Sequence, residues 1–142
     1  NKLSKIPKEV FHLTHLKKLG LSGINLADSP EELDDLSRMT HLTMLTLNEN
    51  QLSELPNEIV QLSELEVLGL KDNQLTKIPR VIQNLTNLTE IDLSGNNLTV
   101  LPREIRNLTQ LKKLDLTENN LSQKEKDYWQ GIFSETDCEV IL

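Results

Sequence analysis

Residues 42–64 read LTMLTLNENQLSELPNEIVQLSE, residues 65–87 read LEVLGLKDNQLTKIPRVIQNLTN, and residues 88–110 read LTEIDLSGNNLTVLPREIRNLTQ. Set one beneath another, they are one pattern written three times. Leu45, Leu68, Ile91 and Leu114 recur at a spacing of 23, as do Leu47, Leu70, Leu93 and Leu116. Asn50, Asn73, Asn96 and Asn119 keep the same interval, followed by Leu52, Leu75, Leu98 and Leu121. The pairs Leu55-Pro56, Ile78-Pro79 and Leu101-Pro102 come next, then Ile59, Ile82 and Ile105, and finally Leu62, Leu85 and Leu108. A fixed period of this length is the mark of a solenoid, in which each unit buries its apolar face only by stacking on its neighbours.

Each Leu-x-Leu segment predicts a short strand with its leucines inward, stacked in parallel on the strand before. The asparagine stands at the turn that follows. Its amide offers both a donor and an acceptor, so it alone can serve buried backbone groups on either side. The Leu-Pro step then starts the return along the other face. Composition agrees with this narrow architecture: 37% of residues are hydrophobic but only 3% aromatic, so the core is aliphatic.

Outward from the regular units, the grammar loosens at both ends. Residues 1–16 fit inside one unit, with Asn1, Leu3, Ile6-Pro7, Val10, Leu13 and Leu16 in the places of Asn96, Leu98, Leu101-Pro102, Ile105, Leu108 and Leu111. The strand that should precede Asn1 is missing and no capping helix stands before it. The edge formed by Leu3, Ile6 and Val10 is therefore expected to be open, as in the later part of a longer protein, and self-association through that end is an expectation too. Residues 16–42 form an irregular unit: Ile24 takes the asparagine position, Ser29 the next leucine position, and three extra residues precede Leu42. Ser29-Pro30-Glu31-Glu32 reads as a helix start, with serine at the N-cap, proline at N1 and Glu32 at N3. A helix over about residues 30–38 is expected, with its acidic pair at the positive end of the dipole.

After Leu121 the pattern stops. Ser122-Gln123-Lys124-Glu125 is a capping box, and the helix it opens carries Trp129, Ile132 and Phe133 on one face. Three of the four aromatic residues lie in this segment, and Cys138-Glu139-Val140-Ile141-Leu142 alternates like a last strand. Residues 1–121 are thus assigned to repeats and 122–142 to a C-terminal cap.

The unit Leu-x-x-Leu-x-Leu-x-x-Asn-x-Leu-x-x-Leu-Pro-x-x-Ile-x-x-Leu-x-x resembles the leucine-rich repeat family in its 23-residue, Leu-Pro form. The tail looks like the ending of short bacterial members, notably those of pathogenic spirochaetes. The resemblance implies an α/β fold: a right-handed solenoid, arched like a horseshoe, with a parallel sheet on the concave face and short helices or turns on the convex face. It also implies a role in binding other proteins. In such a solenoid the residues flanking the strand leucines form columns on the concave face. They are Lys18, Met44, Val67, Glu90 and Lys113; Gly20, Thr46, Gly69, Asp92 and Asp115; Ser22, Asn48, Lys71, Ser94 and Thr117; and Gly23, Glu49, Asp72, Gly95 and Glu118. Ten of these, Met44, Thr46, Asn48, Val67, Gly69, Lys71, Glu90, Asp92, Lys113 and Asp115, are the candidate protein-binding residues. Met44 and Val67 are apolar neighbours beside small Gly69, where a partner side chain has room to dock. The carboxylates form an acidic zone partly offset by Lys71 and Lys113. The plainer reading is a merely solvated surface.

Other chemistry finds little support. A net charge of -7 repels phosphate backbones, and no basic stripe counters it, so nucleic acid is not expected as a partner. No apolar run reaches the ~20 residues of a spanning helix, so membrane insertion is not expected. One cysteine excludes an internal disulfide framework. Disulfide-bonded caps, usual in animal extracellular relatives, are therefore missing, which favours a bacterial or intracellular protein. The resemblance favours a secreted or surface bacterial protein, with the cytoplasm as alternative. Asn84, Asn87, Asn97, Asn107 and Asn120 each begin an Asn-Leu-Thr/Ser glycosylation pattern, but the repeat itself generates it. His12 and His15 could share a helical face, yet two imidazoles fall short of a metal site and read as surface residues. Cys138 invites comparison with repeat effectors that carry a catalytic cysteine domain, but the short tail has no room for one, and a buried cap thiol is expected. No phosphate loop, carboxylate pair or triad appears. The sequence thus points to a non-catalytic interaction module without a cofactor, presented by a bacterium to host proteins. The alternatives are an intracellular signalling scaffold of the Ras-pathway type and a purely structural fragment.

Overall fold

The computed structural model describes residues 5–28 and 30–142. The expectations placed on Asn1, Leu3 and the Ser29 cap lie outside the described residues. Six three-residue strands follow one another as β1 (Lys18–Gly20), β2 (Met44–Thr46), β3 (Val67–Gly69), β4 (Glu90–Asp92), β5 (Lys113–Asp115) and β6 (Glu139–Ile141). They form one parallel sheet in sequence order. The register aligns Leu19, Leu45, Leu68, Ile91, Leu114 and Val140 as one row. From Leu45 to Leu114 this row is fully buried, whereas Leu19 and Val140 at the ends are partly covered. The period read from the leucines is therefore the period of the ladder.

Backbone chemistry explains why the return paths look alike. Pro56, Pro79 and Pro102 precede 3-10 helices at Asn57–Gln61, Arg80–Asn84 and Arg103–Asn107, and Pro7 precedes another at Lys8–His12. Proline fixes φ near the needed value, between -58° and -67° here, while its carbonyl accepts the first turn bond. The isoleucine three residues on supplies that N–H and buries its side chain at 59, 82 and 105.

The irregular unit contains the expected helix as α1 (Pro30–Leu36), two residues shorter than the predicted span. Its end tightens because the Ser37 hydroxyl turns back onto the Asp34 carbonyl while Arg38 and Met39 bond three residues back. Glu32 does more than complement the helix end. Its carboxylate is buried and accepts the Ile6 N–H at 3.1 Å, tying the first coil to the second. Ile6 is buried, but Val10 is only half-buried where its counterparts Ile59, Ile82 and Ile105 are covered, so the edge expected to lie open stays open at Val10. Leu13 goes further in the same sense. It holds the place of Met39, Leu62, Leu85 and Leu108, all buried, yet it is 52% exposed because no coil among the described residues lies against it.

The ladder asparagines are tied into neighbouring coils. Asn73 Oδ1 accepts from Asn50 N and Leu52 N at 3.0 Å, and its Nδ2 donates to Leu47 O and Leu70 O at 3.0 Å. Asn96 and Asn119 repeat the arrangement. Asn50 does the same work for the irregular unit, accepting from Ile24 N and donating to Leu21 O. Ile24 can therefore sit buried at the ladder position without a polar side chain.

Beyond the β5 coil α2 (Gln123–Phe133) buries Trp129 and Phe133, and β6 pairs with β5 as the sixth strand. Ile132, expected on the same buried face, is only partly covered. The Ser122 hydroxyl accepts from Glu125 N as a cap should. The other half of the capping box does not form: the Glu125 carboxylate is drawn to Arg103 and to the Trp129 indole instead.

Candidate protein-binding face

The outer face of the sheet carries every candidate column in register. Lys18, Met44, Val67, Glu90 and Lys113 are direct partners across successive strands, as are Gly20, Thr46, Gly69, Asp92 and Asp115. Strand pairing thus brings the candidates on Met44–Thr46 through Lys113–Asp115 onto one surface, with Asn48 and Lys71 at its margin. Parallel strands lie about 4.8 Å apart, so adjacent columns sit within side-chain reach of one another.

Gly69 differs from its expected role. A Cβ at this buried glycine would lie 3.0 Å from both Thr46 Cγ2 and Asn48 Oδ1. The gap is filled from within by those two side chains, and Asn48 Oδ1 is further held by the Lys71 N–H at 2.9 Å. No depression is left there for a partner. What the surface does present is the Met44 and Val67 pair, both partly exposed and directly opposed.

The carboxylates divide by what they do inside the chain. Asp92 Oδ1 accepts from Ser94 N and Oγ, and Asp115 Oδ1 accepts from Thr117 N and Oγ1. These bonds fix the two side chains in one orientation while the second oxygen of each makes no hydrogen bond among the described residues. Glu90 is paired with Lys113 at 3.5 Å, across half-exposed side chains. Glu49, Asp72 and Glu118 are exposed and share a left-handed backbone, with φ of 57°, 53° and 54°. Gly23 and Gly95 occupy the same position at φ of 70° and 66°. The fourth column is therefore a backbone requirement first and a charged row second.

Sequence reasoning missed two members of this face. Glu139 pairs with Lys113 and Ile141 with Asp115, so β6 extends both central columns by one strand. The alternation after Cys138 was the available signal. It gave the strand but not its place in the columns, because the last strand follows after 26 residues rather than 23.

The remaining candidates resolve as follows. The Lys8–His12 helix ends before His15, whose ring stacks instead on His41, 6.1 Å away. His41 Nδ1 lies 2.9 Å from Glu64 Oε1 and Lys17 Nζ donates to Glu64 Oε2 at 3.0 Å. The hydrogen bond from Lys17 and then that with His41 hold the Glu64 carboxyl below its ordinary range. Cys138 is buried, and burial, helped by neighbouring Glu139, pushes its thiol up to about 11. Two of the asparagines in glycosylation patterns already have bonds to the coil before: Asn87 donates to Ser63 O and Asn107 to Gln83 Oε1. No helix is long and apolar enough to cross a membrane among the described residues.

A family model described as a leucine-rich repeat region matches residues 28–131, and the chain belongs to the leucine-rich repeat family. This fold generally serves as a protein-interaction module. Among solved structures the chain is similar to a leucine-rich repeat protein of Leptospira interrogans, at 27% identity and a TM-score of 0.75, over 98% of this chain and 40% of that one. It is similar to an internalin of Listeria monocytogenes at 25% identity and a TM-score of 0.70, over 93% and 36% of the two chains. A third likeness is to the ectodomain of the Arabidopsis thaliana receptor kinase GASSHO1/SCHENGEN3, solved in complex with CASPARIAN STRIP INTEGRITY FACTOR 2. There the identity is 29% and the TM-score 0.64, over 82% and 14% of the chains. The chain spans less than half the length of each of these structures. No curated protein sequence matches it. The likeness to the spirochaete protein agrees with the resemblance read from the tail.

Proposed function

We propose that this chain is a non-catalytic binding module that takes a protein ligand on the outer face of its sheet. The observation that carries the reading is the register itself. It gathers an apolar pair, Met44 and Val67, beside carboxylates at Asp92 and Asp115 that are oriented by Ser94 and Thr117 but keep an oxygen free. A ligand suited to this face offers an aliphatic or aromatic side chain for the first half and a basic group for the second. The repeat leucines stabilise the scaffold; these columns carry the specificity. Presentation to host proteins by a bacterium is the biological form of the proposal, supported by the likeness to the Leptospira and Listeria proteins.

A binding screen against host surface and matrix proteins tests it, run with the unaltered chain, Met44→Glu, and the double variant Glu90→Lys with Asp92→Lys. A ligand captured by the unaltered chain and lost by both folded variants is the expected result. A ligand held equally well by all three would place the binding surface elsewhere and overturn the proposal.

A further inference from the structure

Three cavities follow one another along the edge where each strand turns toward the convex side. The first, about 580 Å³, lies between the β1 and β2 coils over an apolar floor of Leu26, Leu33 and Leu52, rimmed by Glu31, Asp34 and Glu54. The second, about 700 Å³, lies between the β2 and β3 coils, with Glu54 and Glu58 on one wall and Lys77 and Arg80 on the other. The third, about 370 Å³, lies between the β3 and β4 coils beside Lys77, Arg80 and Val100. Along this edge the position before each Leu-Pro step runs Glu54, Lys77, Val100. Charge therefore changes sign at the junction of the β2 and β3 coils.

These groups are largely unspent inside the chain. Among the described residues Glu31, Asp34, Glu54, Glu58 and Lys77 form no ion pair, and Arg80 reaches Glu104 only at 3.8 Å while 82% exposed. Val100 is 49% exposed, on a chain whose aliphatic residues are otherwise mostly covered.

We propose that a second copy of this chain docks on this edge, antiparallel, about a two-fold axis at the junction of the β2 and β3 coils. The argument for a copy, rather than a foreign partner, is self-complementarity. A two-fold axis reverses the order of the coils, so the β2 coil meets the β3 coil of the partner and the β1 coil meets its β4 coil. Glu54 and Glu58 then face Lys77 and Arg80, twice over. One operation satisfies both sets of charges, and this charge pattern was not needed to build the repeat. Four coils span about 19 Å, short of a standard interface, so the dimer is weak, concentration-dependent and sensitive to salt.

Sedimentation equilibrium of the 142-residue chain tests this with two charge-reversed variants, Lys77→Glu with Arg80→Glu and Glu54→Lys with Glu58→Lys. All four positions are exposed, and circular dichroism checks that each variant folds. At low salt the unaltered chain should exceed its monomer mass of 16.2 kDa as concentration rises, and return to it in roughly tenfold more salt. Each variant alone should dimerise at least tenfold more weakly, since like charges then face each other. An equimolar mixture of the two should regain the dimer, because each supplies what the other lacks. A monomer mass for the unaltered chain under all conditions would overturn the proposal. So would a dimer indifferent to salt and to both variants, as apolar pairing through another end would give, or a mixture that stays monomeric.

Discussion

At the scale of single residues, a ladder asparagine does more for the fold than any one leucine contact suggests. Asn73 joins two coils with one amide, accepting from Asn50 and Leu52 and donating to Leu47, Leu70 and Lys71. Asn73→Ala strands buried backbone groups that no other side chain can reach, and a loss of about 2–3 kcal/mol is expected in urea unfolding. Asn73→Asp is the sharper comparison, since it keeps the acceptor but turns the donor into a charged oxygen facing the Leu47 and Leu70 carbonyls, and it should cost at least as much. Glu64 gives a pH test. Its carboxyl is held low by Lys17 and His41, so its contribution to stability is present above the unfolded carboxylate range and fades as pH falls through the folded value. A carbon-detected NMR titration should place its midpoint below that of an ordinary glutamate, and Lys17→Met should move it up. Cys138 is the opposite case, a thiol raised to about 11 by burial, and should resist alkylation at neutral pH in the folded chain while reacting in denaturant.

At the scale of elements, the two helices show how much a sequence can and cannot announce. Both starts were legible, because Pro30-Glu31-Glu32 and Ser122-Gln123-Lys124-Glu125 are local signals whose meaning depends on neighbours in the chain. The destinations of Glu32 and Glu125 were not. Each acid sits where a capping box would use it locally, yet a coil from elsewhere offers a stronger partner: the Ile6 amide for one, the Arg103 guanidinium for the other. Arg103 is the centre of the junction between the β4 coil and α2. It makes a two-pronged pair with Glu125, lies 3.8 Å over the Tyr128 ring, and shares Glu125 with the Trp129 indole N–H at 3.2 Å. The Glu125 side chain is only 11% exposed, so Arg103→Met leaves a carboxylate largely buried without its cation. A loss of about 2–4 kcal/mol is expected, greatest in α2 and β6. Hydrogen exchange should show the amides of α2 and β6 opening before those of β2 and β3; uniform loss of protection would mean that the junction does not act locally.

At the scale of the whole molecule, the regularity that made the fold readable is what hides the function. Leucine, asparagine and proline positions are set by a rule that repeats, so three copies suffice to establish register, sheet and core. The surface columns obey no such rule, and their contacts depend on side chains one coil away. The room expected at Gly69 vanished for that reason, filled by Thr46 and Asn48. The left-handed column shows the same interplay, since Gly95 stands where a Cβ would collide with the Asp72 carboxylate. The proposed binding face combines an apolar half and a charged half on one rigid sheet, and these should act on different steps of association. Carboxylates at Asp92 and Asp115 steer an oppositely charged partner, so Asp92→Asn with Asp115→Asn should slow association several-fold at low salt and flatten its salt dependence. The Met44 and Val67 pair contributes burial after contact, so Met44→Ala with Val67→Ala should leave the association rate nearly unchanged and speed dissociation about tenfold or more. Surface plasmon resonance with any ligand captured in the screen separates the two. If both variants altered the same rate constant in the same proportion, the division of the face into a steering half and an anchoring half would fail, even with binding on the sheet intact.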